Sequence, residues 1–153
     1  MARLKDLPDP EGSYLAKLPC PEFTNTPWVQ PKPLAESRLA VISTAGLHMR
    51  ADAPFTGLSG EYRVIPGDAA AKDLVMSHIS ANFYRSGFQQ DLNVVLPLDR
   101  LKELFENRII GSLPSYHYSF MGATDPGAME QAAREVAGLL KGDRVDSVLL
   151  IPV

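Results

Sequence analysis

Residues 125–153 couple a helix to a strand so closely that the two must pack face to face. Asp125 and Pro126 read as a helix start, because a carboxylate can cap orphan amides and proline suits the first helical position. Met129, Ala132, Ala133, Val136, Ala137 and Leu140 then recur at helical spacing, and Gly142 is the expected stop. Val148-Leu149-Leu150-Ile151 follows with no charge, as a buried β-strand would. Arg38–Thr44 is a second short, nearly continuous apolar run of that kind. Strand, helix and strand with short connections predict an α/β fold around a mostly parallel sheet, in a Rossmann-like or flavodoxin-like three-layer arrangement. In such sheets chemistry sits outside the carboxyl ends of the strands. A chain that stops at Val153, on the tip of such a strand, reads as incomplete at its C-terminus, just where an active-site loop is expected.

The remaining segments are less definite. Tyr62–Ile65 and Leu92–Leu96 are strand candidates, and Asp73–Ser77 reads as either strand or helix. Pro97 followed by Leu98, Leu101, Leu104, Phe105 and Ile109 predicts a helix. Residues 1–37 hold seven of the 13 prolines and form an extended arm, separate from an α/β domain over 38–153. Tyr14, Phe23 and Trp28 are too apolar for a solvated tail, so the arm is expected to lie across the body or a second subunit.

A chain of 153 residues fits one domain with a sizeable core. The net charge of −3 offers no electrostatic reason for nucleic acid or an anionic membrane as partner. No apolar run is long enough to span a bilayer, and the N-terminus lacks a signal-peptide core. The single cysteine, Cys20, excludes an internal disulfide framework. These features predict a cytoplasmic protein.

Three histidines are the candidate chemistry. His48 follows the Leu39–Thr44 strand, His78 ends the Leu74–Ser77 segment, and His117 lies within Ser115–Phe120. If those segments are parallel strands, the imidazoles converge on one sheet edge, where they can move protons near neutral pH. Taken singly, each histidine is better read as satisfying a local hydrogen bond. A zinc or iron site built with Asp52, Asp68 or Asp91 is the competitor, but no two histidines have helical metal-motif spacing. Arg50, Arg63 and Arg85 lie in nearby loops, where a guanidinium fork could clamp a carboxylate. Asp91, Asn93, Asp99 and Arg100 read equally as caps and salt bridges. No glycine-rich phosphate loop or nucleophile elbow surrounds Ser43 or Ser77. Cys20, between Pro19 and Pro21, has no basic neighbour to activate it. The chain thus carries the polar surroundings of a site without a reacting atom.

Five segments in order, Ile42–His48, Tyr62–Asp68, Asp91–Leu101, Ile110–Leu113 and His117–Gly122, resemble the selenoprotein B family of glycine/sarcosine/betaine and D-proline reductases. The resemblance covers about Arg38 to Val153. It implies an oxidoreductase for reductive C–N bond cleavage of a small amino acid or related amine, working with a thioredoxin-type or other thiol/selenol redox partner protein. It further implies that a strand like Val148–Pro152 is followed by selenocysteine-x-x-cysteine, or a cysteine version. The selenium attacks the carbon next to nitrogen. A UGA codon read as a stop would end the chain at this point, and the 153-residue polypeptide alone would be inactive. No bound cofactor is expected beyond that selenocysteine or cysteine in the full-length product. By the same resemblance His48, His78 and His117 would line the pocket as proton donors and selenolate stabilisers, and Arg50 or Arg63 would hold a substrate carboxylate. Some partners in such systems carry a pyruvoyl group made by self-cleavage before a cysteine, a context that Cys20 lacks. A small-molecule substrate and a homo-oligomer complete the expectation. The alternatives are a non-catalytic binding or regulatory domain and the histidine-based metal enzyme.

Overall fold

The computed structural model describes residues 4–19, 22, 24, 26–57, 59–80 and 85–153. The centre of the molecule is β1 (Leu39–Ser43), whose Ala40 and Val41 are fully buried. It pairs in parallel with β5 (Tyr116–Phe120) on one side and β6 (Ser147–Ile151) on the other. The antiparallel β3 (Tyr62–Pro66) completes a four-stranded sheet in the order β3-β5-β1-β6. Pro66 falls at the end of an edge strand, where a missing amide costs no ladder bond. A separate antiparallel ribbon joins β2 (Leu47–Met49) to β4 (Leu74–Met76), resolving the strand-or-helix ambiguity of Asp73–Ser77 as strand.

Side chains of a strand alternate between faces, and the sheet uses both. Val41 packs with Leu47, Ile65, Leu96, Leu98 and Leu101 on one side, under α3 (Leu98–Glu106). Ala40, Tyr118 and Phe120 pack with Val136 and Leu140 of α4 (Glu130–Gly142) on the other. Two helices therefore cover opposite faces of a mixed, mostly parallel sheet. Two shorter helices, α1 (Glu11–Leu15) and α2 (Ser86–Gln90), are single turns, and Phe88 of α2 packs against the core on the α3 side.

Asp125 caps as its sequence predicts: its Oδ1 accepts from the Gly127 amide at 2.7 Å, with Pro126 opening a 3₁₀ turn that runs into α4. The stop differs from the sequence expectation. Gly142 is still helical, and the left-handed residue is Arg144 at φ 55°. The Val145 amide donates to the Leu140 carbonyl and the Arg144 amide to that of Lys141, so two backbone bonds hold an arginine where glycine is usual. Val145 also packs beside Leu140, fixing the exit into β6.

Three further expectations are corrected. Leu92–Leu96 is not a strand: Leu92–Val94 is a 3₁₀ turn. Asp91 Oδ1 accepts from the Asn93 amide at 2.9 Å, and Asn93 also binds Asp99, so polar capping bends the run while Val95 and Leu96 enter the core. The last strand, β6, is an edge rather than a buried strand: among the described residues only β1 pairs with it, and Leu150 is 66% exposed. In the arm, Trp28 is 88% exposed and Tyr14 is also exposed, so these aromatics do not dock on the body. Phe23 and Cys20 lie outside the described residues. Near its end the arm is tied to the body through Lys32 to Asp146 at 2.6 Å and the Gly111 amide to the Leu34 carbonyl.

Gly111 and Gly138 predict opposite responses to alanine. A β-carbon at Gly111 would stand 2.8 Å from Glu36 C and 2.9 Å from the Ala35 carbonyl oxygen, whereas Gly138 on α4 meets nothing within 4 Å. Urea unfolding should show Gly111→Ala destabilising by about 1–3 kcal/mol, and Gly138→Ala stabilising by about 0.5–1 kcal/mol.

Candidate functional site

The connection leaving β1 passes to the α3 face of the sheet, whereas the connection leaving the adjacent β5 passes to the α4 face. Where neighbouring parallel strands send their chains to opposite faces, a crevice opens at their carboxyl ends. Here its walls are laced together. The Thr44 amide donates to the Ile151 carbonyl at 3.0 Å, the Gly46 amide to Phe120 at 2.8 Å and the Gly122 amide to Thr44 at 2.8 Å. Thr44 Oγ1 accepts from the Val153 amide at 2.8 Å, tying the chain after β6 to the exit of β1. Ser119 Oγ receives the Leu47 amide at 2.8 Å and holds the start of β2.

Gly46 makes this turn possible. Its φ is +64°, and an added β-carbon would press on the His78 backbone nitrogen and Met121 Cε, both at 3.1 Å. At Gly122 a β-carbon would lie 2.6 Å from the Val153 carbonyl oxygen. Both small residues let three strand exits approach one another.

His78 belongs to this edge. The Ser77 amide donates to the Gly46 carbonyl at 2.9 Å and sets the adjacent His78 backbone against Gly46. The His78 ring accepts from the Ser80 amide at Nδ1, 3.2 Å, and lies close enough to the Val153 backbone to feel its charge distribution. Burial, then the positive charge of Arg85, lowers its pKa, partly offset by the Val153 backbone. Arg85 donates to the His78 carbonyl.

His48 is close in sequence register but differently used. It pairs with Val75 across the ribbon, so His48 and Ser77 lie on the ribbon face away from Leu47 and Met76. His48 Nδ1 lies 2.7 Å from the Met49 carbonyl, which can only accept, so Nδ1 carries hydrogen. In the neutral ring Nε2 then accepts from the Ser77 hydroxyl at 2.8 Å. Both nitrogens of this buried ring are satisfied, and the Ser77–His48 bond locks β4 to β2.

His117 is not brought to the carboxyl edge. It is the second residue of β5, about 10 Å along the strand from Phe120. It is buried, and Nδ1 accepts from the Val41 amide at 3.0 Å. Burial, then the charge of Lys102, lowers its pKa to about 4. The two arginines also have other work. Arg50 donates to the Lys72 carbonyl at 3.0 Å. Arg63 donates to the Ala53 and Tyr62 carbonyls, pairs with Glu61 and stacks 4.5 Å over Phe55. Among the described residues no group of three or more His, Cys, Asp or Glu could hold a metal ion, so the three-histidine cage does not form there.

Sequence reasoning passed over Thr44, Ser119 and Gly122. Their roles are backbone closures between strand ends, and no spacing in the chain reports them.

The molecule is thus a mixed α/β domain with a closed polar edge at a strand-order switch, and known proteins place it further. A family described as Glycine/sarcosine/betaine reductase selenoprotein B matches residues 5–152, and the chain belongs to that family. It is 34% identical over 123 residues to D-proline reductase subunit gamma of Acetoanaerobium sticklandii, covering 78% of this chain and 50% of that one. Glycine reductase complex component B subunit gamma of Symbiobacterium thermophilum is 28% identical over 145 residues, covering 90% of this chain and 33% of its own. Betaine reductase complex component B subunit beta of Peptoclostridium acidaminophilum is 30% identical over the same number of residues, with the same coverage. The chain therefore spans half or less of the curated relatives it matches. No solved structure matches it, and no described helix is long and apolar enough to cross a membrane.

The buried, neutral His117 has a measurable consequence. Its folded pKa lies below the ordinary 6.5, so the unfolded chain binds the proton more readily and stability falls as pH drops from 6.5 towards 4. The loss due to this group is on the order of 3 kcal/mol across that window. His78, shifted in the same direction, adds to it. Denaturant titrations between pH 7 and pH 4.5 should show His117→Gln reducing this pH dependence by up to one bound proton; an unchanged slope would contradict the assignment.

Proposed function

We propose that this chain builds one wall of the reductive site of a reductase-complex component, at the carboxyl edge of β1, β5 and β6. The activity is two-electron reductive C–N cleavage of a small amino acid or related amine. The observation that carries the reading is the convergence of Thr44, His78 and Val153 at that edge, in a chain of the selenoprotein B family. A selenocysteine or cysteine in sequence following β6 supplies the nucleophile that displaces the amine, and a dithiol redox partner supplies the electrons.

The chain's own residues do the remaining work. Thr44 and the Val153 amide hold the segment after β6 against the exit of β1. His78 stays neutral near pH 7, since burial and Arg85 disfavour its cation. It lies near the Val153 backbone and is within one residue of the Ser77 amide clamp. A neutral ring is a poor acid, so the proton taken by the departing nitrogen comes from the redox partner's dithiol as it is oxidised, and the His78 ring serves to orient the groups at this edge. His48 supports the ribbon that carries His78, rather than meeting substrate itself. Arg50 and Arg63 become carboxylate clamps only if substrate displaces the backbone carbonyls they now bind.

Protein partners follow from relatives that are subunits of reductase complexes. The exposed edge of β6, at the end of the sheet opposite β3, can take further chain, from the same polypeptide or a partner. Sequencing the gene past the Val153 codon tests the reading. The expected result is an in-frame UGA or cysteine codon, with a cysteine codon three positions on. A UAA or UAG codon with no continuing frame would contradict it.

A further inference from the structure

The open edge of β6 and the proline-rich arm match each other residue by residue. The Ser147 amide donates to the Arg38 carbonyl at 3.2 Å, and the Thr44 amide to that of Ile151 at 3.0 Å. The odd-numbered residues of β6 therefore turn their backbone groups to β1, and the alternation of a strand turns those of Val148 and Leu150 outwards. Among the described residues no strand pairs with that side. β6 carries no charge, and an uncharged open edge is one that natural proteins cover.

The arm reads Pro27-Trp28-Val29-Gln30-Pro31-Lys32-Pro33 at its exposed end. An edge strand tolerates proline only where the missing amide faces away from the neighbour. All three prolines here hold odd positions, so the amides of Trp28, Gln30 and Lys32 survive together on one side of an extended chain. Lys32 sets where that side goes, because its Nζ binds Asp146 Oδ1 at 2.6 Å, immediately before β6. Laid antiparallel from that pair, Gln30 falls opposite Val148 and Trp28 opposite Leu150. Those are the two residues of β6 with outward backbone groups, and each opposed pair can exchange two hydrogen bonds.

The Lys32–Asp146 pair is partly exposed and fixes register more than energy. Apolar burial supplies the energy. Opposed residues share a face, and Val148 and Leu150 lie on the α4 face, alongside Ala40 and Ile42 of β1. An apolar groove of about 250 Å³ lies there between β6 and α4, lined by Ile42, Phe120, Met129, Ala133, Ala137 and Leu150. The small side chains of Ala133 and Ala137 leave room in it for a large ring. Trp28 is exposed in the structure, as is Leu150, so the arm stands open there.

We infer that residues 27–33 dock along β6 as a fifth strand of the sheet, with the Trp28 indole in the groove beside α4. The docked arm occupies the edge that a partner chain would use and so competes with any such partner. The inference concerns this chain alone and holds or fails independently of the reductive reading.

Trp28 is the one tryptophan of the chain, so its fluorescence reports on the arm. The test is acrylamide quenching of Trp28 and hydrogen exchange of the Val148 and Leu150 amides in the 153-residue chain, with light scattering at two concentrations. The expected result for a monomer is blue-shifted emission, quenching several-fold weaker than in the urea-unfolded chain, and both amides exchanging roughly tenfold slower than in Gln30→Pro. Gln30→Pro removes an amide that faces β6 and should open the arm. Val29→Pro removes one that faces away and should leave Trp28 protected. Both positions lie outside the two cores, so the body folds in either variant. Free quenching of Trp28 in the wild-type chain, equal opening by the two prolines, or protection that appears only on dimerisation would each overturn the proposal.

Discussion

The structure depends on burying β1 on both faces while keeping its ends open to polar chemistry. Ala40 and Val41 have no exposed surface, and they serve different cores. Each fully buried aliphatic side chain contributes roughly 1.5–3 kcal/mol of transfer free energy, so the two helical layers stand or fall with this strand. Parallel partners on both sides follow from that burial, because a strand covered above and below must also satisfy its amides laterally. The Val41 amide faces the His117 ring, which thereby becomes part of the ladder.

That arrangement separates two polar environments by the length of a strand. At the carboxyl end, Thr44, Gly46, Met121 and Val153 bring three chain exits within hydrogen-bonding distance, and His78 is held there by neighbours on both sides. At the other end, the buried His117 ring is fixed by the Val41 amide. Neither imidazole is a free surface base. Each has had one nitrogen assigned by the fold, and the chemistry open to it is what the other nitrogen can do.

Much of the architecture was legible in the chain. The apolar runs of β1 and β6, the Asp125 cap and the α4 stripe are local signals that produced strands and a helix, although β6 is an exposed edge and Asp125–Pro126 opens a 3₁₀ turn ahead of α4. Family membership was legible from five ordered segments and agrees with the matched family. Other features were illegible for physical reasons. Leu92–Leu96 is apolar enough for a strand, yet the Asp91–Asn93–Asp99 hydrogen bonds decide its shape. The helix stop moved from Gly142 to Arg144 because a pair of backbone bonds and the Val145 contact outweigh the residue preference at that position. His117 was expected beside His48 and His78, but strand direction and register decide which end of β5 it occupies, and one sequence does not report register.

The central proposal is that a selenium or sulfur nucleophile meets this chain at the edge formed by Thr44, His78 and Val153. The most direct measurement is anomalous scattering at the selenium edge from crystals of the full-length protein, or at sulfur for a cysteine form. The account predicts a single peak in the crevice outside the carboxyl ends of β1, β5 and β6, within hydrogen-bonding reach of the His78 ring. A peak on the far side of the sheet beside Gly67 and His117, or one remote from both, would contradict it.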